Sequence, residues 1–107
     1  MREFASGAIR DDDKEKLDFE GCLSPLALEA FAQYMLDNTI QKDGNERTSD
    51  NWQKGFSKEC YMKSMWRHFF MAWKIHRGWV KGCMVTTLCA LLFNVQGMLH
   101  EILKEKL

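Results

Sequence analysis

At 107 residues, with 46% apolar and 28% charged side chains, the chain is sized for one domain with a small packed core that self-association would help complete. Fifteen basic residues balance fifteen acidic ones, which excludes a strong whole-chain attraction to nucleic acid or to an anionic membrane. The balance is uneven along the chain: nine of the acids fall in the first 37 residues and none between Glu59 and Glu101, where Lys63, Arg67, Lys74, Arg77 and Lys81 all lie.

Residues 1–20 are charged and poor in aliphatic side chains, which predicts an extended N-terminal arm, docked through Phe4, Ile9, Leu17 and Phe19, ahead of a single helical domain over 21–107. The arm lacks the apolar run of a signal peptide. In "LSPLALEAFAQYMLD" Ser24 is placed to cap a helix and Pro25 to occupy its first position, where a missing amide costs nothing. Leu28, Phe31, Ala32 and Met35 recur at helical spacing as its expected buried face. "NTIQKDGNERTSDN" reads as a loop.

A second helix is expected from about Lys58 to Arg77, with Ser57 as cap, Glu59 in the first turn and Gly78 as the stop. At about 100° per residue, Tyr61, Met62, Met65, Trp66, Phe69, Ala72 and Trp73 form an apolar face wider than one neighbouring helix covers. That width predicts a dimer or a multi-helix core. Lys63, Arg67 and Lys74 form a basic stripe opposite, either solvated or a cradle for phosphate oxygens. His68 shares a third face with Ser64, Met71 and Ile75, and His76 sits near the helix end, in a capping position.

A third helix is expected from about Met84 to Lys104, with Val85, Leu88, Leu92, Val95, Leu99, Ile102 and Leu103 at core spacing. Its apolar stretch, Cys83 to Leu99, is about 17 residues against the roughly 20 of a membrane span, so it reads as a buried core helix. Thr86, Ala90, Asn94, Gly97 and Glu101 form a strip of small and polar residues, either a packing seam or the floor of a pocket in which Asn94 pairs with an amide or base edge. No segment alternates as a strand does, and the class is all-α, a small helical bundle. Four cysteines without CxxC spacing indicate neither a zinc site nor a redox dithiol. No helix-turn-helix pattern supports direct nucleic-acid binding.

The order "RDDDKEKLDFEG.LSPLALEAFAQYM", "DNWQKG", "YMKSMWRHFF..W..HRG" and "LCALLFNVQGMLHE" resembles the phage and prophage family described as dATP/dGTP diphosphohydrolase, N-terminal domain, related to the MazG and MazZ all-α nucleotide pyrophosphohydrolases. The likeness runs from about Arg10 to Glu105 and is most specific at Asp50–Gly55 and Trp66–His68. It implies an oligomeric cytoplasmic protein of a bacterial host that hydrolyses a purine deoxynucleoside triphosphate to the monophosphate and pyrophosphate with magnesium. Asn51, Lys54, Arg67 and His68 match motif positions. Lys54 and Arg67 are then implied phosphate ligands, Asn51 and Asn94 polar anchors, and His68 an orienting or proton-handling group.

Relatives of this pattern carry acids near the positions of Met71, Ile75 and Thr86, all uncharged here. Magnesium would then have to be held by acids drawn from the arm, the loop and the helix ends: Asp18, Glu20, Asp50, Glu59 and Glu101, of which Asp50, Glu59 and Glu101 are the expected metal residues. Two readings follow. One is a hydrolase with a rebuilt metal site. The other is a phage-encoded binding protein without turnover, inhibiting a host defence factor in the manner of an anti-CRISPR protein or sequestering a nucleotide. A purely structural helical module is a third.

Overall fold

A computed structural model describes residues 2–3, 7, 9–10, 15–39, 44 and 47–107. The protein is all-α. Helices α1 (Phe19–Cys22), α2 (Pro25–Asp37), α3 (Lys58–His76) and α4 (Met84–Lys104) follow two-residue strands β1 (Arg2–Glu3) and β2 (Ile9–Arg10), paired antiparallel near the N-terminus. A 3-10 turn, Asn51–Lys54, lies between α2 and α3.

The helix ends form where local chemistry satisfies their free amides and carbonyls. Ser24 Oγ accepts from the Ala27 amide at 3.1 Å and Pro25 opens α2, while Ser57 Oγ accepts from the Cys60 amide at 3.2 Å to open α3. At the far end of α3, Gly78 takes φ 76°, the Trp79 amide donates to Lys74 O at 2.9 Å and the Gly78 amide to Ile75 O at 3.0 Å. This pair of bonds is a Schellman stop, which favours glycine at that position. Cys83 caps α4 through its sulfur, which accepts from the Thr86 amide at 3.4 Å. α1 begins inside the region expected to be extended, because Asp18 Oδ1 accepts from the Gly21 amide at 2.8 Å and nucleates one turn.

Residues 77–83 fold α4 back along α3, so Lys58 at the start of α3 reaches Glu105 just past the end of α4 at 3.1 Å. α2 then packs onto α4. Tyr61, 1% exposed, is the centre of the core. Its ring lies directly on Gly97, where a Cβ would collide with it, and its hydroxyl accepts from the Phe56 amide at 3.2 Å. Cys89, Ala90 and Asn94 of α4 and Phe31 of α2 complete the buried set. The strip of small residues on α4 is thus a packing seam, which lets two backbones approach closely.

Three expectations about burial need correction. In α2, Phe31 is buried and Met35 half-buried, but Leu28 and Ala32 are exposed, because α4 covers only one side of α2. In the arm, Leu17 and Phe19 are exposed, not docked; Phe4 and the side chain of Ile9 lie outside the described residues, as does the centre of the predicted loop. Most consequential is α4. The side chains assigned to the core, Val85, Leu88, Leu92, Val95, Leu99 and Leu103, are exposed, and the buried side of the helix is the small-residue strip opposite them. Among the described residues α4 is also the one helix long and apolar enough, by length and composition only, to cross a membrane. The wide face of α3 is likewise open at Met62, Trp66, Phe69 and Trp73.

Candidate functional site

The segment Thr48–Phe56 is built by short-range bonds. The Asn51 amide donates to Thr48 O, the Gln53 amide to Asp50 O and the Gly55 amide to Trp52 O, each at 3.0 Å, and Thr48 Oγ1 donates to Asp50 Oδ1 at 2.9 Å. Gly55 ends the turn at φ 74° with the Glu101 carboxylate of α4 directly against it, so a side chain there would be both strained and obstructed. Trp52 packs edge-on against His100 at 4.9 Å between ring centroids. The motif "DNWQKG" is therefore fixed on the last turns of α4, and Phe56 carries the chain from it onto Tyr61.

Beside this turn a cavity of about 470 Å³ opens between the end of α2 and Phe93 of α4. Tyr34, Trp52, Phe56 and Phe93 give it aromatic walls. Asn38 and Asn51 supply amides, Thr39, Thr48 and Ser49 hydroxyls, and Arg47 and Lys54 positive charge, with no carboxylate in the lining among the described residues. Such a volume with a few polar groups is usual for a small-molecule site. Burial, assisted by Cys89, raises the pKa of the Tyr34 phenol above its ordinary value, so this hydroxyl is harder to ionise than one in water.

Of the residues singled out from sequence, Asn51 and Lys54 line this cavity, and Arg67, His68 and Asn94 do not. Arg67 Nη2 donates to Ser64 Oγ at 2.9 Å on the exposed side of α3. His68 is half-buried beside it, and burial, then the neighbouring guanidinium, hold its pKa below the ordinary 6.5. Asn94 is buried and its Nδ2 donates to Ala90 O at 2.9 Å, one turn back in its own helix. In the basic stripe, Lys74 lies over the Phe70 ring at 5.3 Å, and Arg77 nearby lies over Trp73 at 5.9 Å. His76 is exposed as the last residue of α3.

The expected metal residues are separated. Asp50 is exposed and occupied by Thr48, Glu59 is exposed in the first turn of α3, and Glu101 lies under Gly55, paired with Lys104 at 3.2 Å. Asp18 caps α1. Among the described residues no three His, Cys, Asp or Glu side chains converge as metal ligands. A magnesium ion needs several oxygen ligands in near-octahedral array, and the acids among the described residues do not converge in that way. Sequence reasoning missed Tyr34, Arg47, Trp52 and Phe93, the walls of the cavity. Only Trp52 carried a signal, from its place inside the motif.

No protein-family model, curated protein or solved structure gives a significant match to this chain. The resemblance to the nucleotide pyrophosphohydrolases rests on the sequence motifs alone.

Proposed function

We propose that this protein binds a purine deoxynucleotide in the cavity beside Asn51–Lys54, as a binding protein without turnover in the single chain. The observation that carries this reading is the cavity itself, with aromatic walls, amide groups and two cationic side chains and no acid in its described lining. Aromatic side chains bind bases at roughly 1–3 kcal/mol per stacked base, amides pair with base edges, and Lys54 with Arg47 would attract the phosphates. A purine fits the family that the motifs resemble. Hydrolysis is not assigned, because no cluster of acids that could hold a metal is present among the described residues.

Calorimetric titration with each deoxynucleoside triphosphate, run beside a pyrophosphate-release assay with magnesium, tests the proposal. Binding without pyrophosphate release is the expected result. Lys54→Ala should weaken that binding about tenfold or more, the worth of one charge-assisted contact, with unchanged helical circular dichroism. Chelator-sensitive turnover would replace this reading with the hydrolase. Absence of both would overturn it and leave a host defence protein as the partner to seek.

A further inference from the structure

The open side of α4 has a regular spacing. Val85, Leu88, Leu92, Val95, Leu99 and Ile102 follow one another at intervals of 3, 4, 3, 4 and 3 residues, the a/d repeat of a helix that packs along another helix. Five of the six are between 37% (Leu92) and 60% (Val85) exposed. The opposite side of α4, Ala90, Asn94 and Gly97, already holds α3. α4 thus carries large aliphatic side chains on the side that α3 leaves open and small residues on the side that α3 covers, so both sides are suited to contact with a neighbour. Beside the stripe, Met62, Met65, Trp66 and Phe69 of α3 join Leu91 and Val95 in an open groove of about 370 Å³ with apolar walls throughout.

We infer that a second copy of this chain covers this face, with the two α4 helices antiparallel across a two-fold axis near Phe93–Asn94. The spacing is palindromic: reversing one copy sets Val85 opposite Ile102, Leu88 opposite Leu99 and Leu92 opposite Val95, so each a position meets a d position. A self-complementary patch is what a two-fold dimer requires. No charged residue occurs from Gly82 to Leu99, so the two copies bring no like charges together along the seam. At roughly 200 Å² for a large apolar side chain, five stripe residues with Met62, Trp66 and Phe69 offer on the order of 800 Å² per chain, the size of a standard stable interface. A bilayer is a poorer occupant, because α3 lies along α4 and would carry Lys58, Glu59, Lys63, Arg67 and Lys74 in with it.

Sedimentation of the full chain at about 50 µM, well above a ~1 µM dissociation constant, should give twice the 12.6 kDa chain mass. Leu92→Glu should give the single-chain mass with helical circular dichroism retained. Disulfide trapping covers the case in which that variant fails to fold. With Cys22, Cys60 and Cys83 changed to Ser, a mixture of Leu88→Cys and Leu99→Cys chains should cross-link to each other, and neither to itself. A single-chain mass for the wild type, a dimer that survives Leu92→Glu, cross-linking of Leu88→Cys to itself, or flotation of the chain with phosphatidylcholine–phosphatidylglycerol vesicles would each overturn the inference. None of these outcomes depends on nucleotide binding.

Discussion

His68 shows how position decides the role of an ionisable side chain. On α3 it is half-buried and does not line the cavity, and burial, followed by the Arg67 charge, favours its neutral form. Because its folded pKa is below the 6.5 of the unfolded chain, the unfolded state takes up the proton first as pH falls. His68 therefore supports the fold fully above about pH 6.5 and withdraws that support as pH drops toward its folded pKa. Urea unfolding at about pH 7.5 and again at about pH 5.5 should show the wild type losing stability that His68→Gln does not lose. Equal losses in both proteins would remove this role. Arg67, turned to Ser64, belongs to the surface of α3, whereas Lys54 lines the cavity together with Arg47.

At the scale of elements, the closeness of α3 and α4 depends on Gly97. Tyr61 occupies the space a Cβ would need, and the Tyr61 hydroxyl beyond it receives the Phe56 amide that leads from the cavity turn. Gly97→Ala should cost about 1–3 kcal/mol through overpacking, measurable as a lowered urea midpoint. It should also weaken nucleotide binding, since displacing Tyr61 moves Phe56 and the turn before it. A variant with unchanged stability would mean that α3 yields without strain. The caps at Ser24 and Ser57, the Pro25 opening and the Gly78 stop were all legible in the sequence, because each is settled by bonds among residues within a turn of one another.

At the scale of the whole molecule, one chain leaves an apolar layer of two helices uncovered, and the inferred dimer completes it. Its melting temperature should therefore rise with protein concentration, while Leu92→Glu should melt at a temperature independent of concentration; a wild type that behaves like the variant would oppose dimerisation. The sequence by itself determined the all-α class and the ends of α2, α3 and α4, since capping groups, glycine stops and helical periodicity act over a few residues. It also drew attention to "DNWQKG", of which Asn51, Trp52, Lys54 and Gly55 line the cavity. Periodicity showed that Val85, Leu88, Leu92, Val95 and Leu99 share a face of α4, but not which neighbour that face meets. Only the tertiary structure decided this: the close approach allowed by Gly97 draws α3 to the small-residue side and leaves the large aliphatic side open. It likewise separated Asn51 and Lys54, which line the cavity, from Arg67, His68 and Asn94, which do not. Residues distant along the chain meet through packing, and their meeting depends on how whole helices cross.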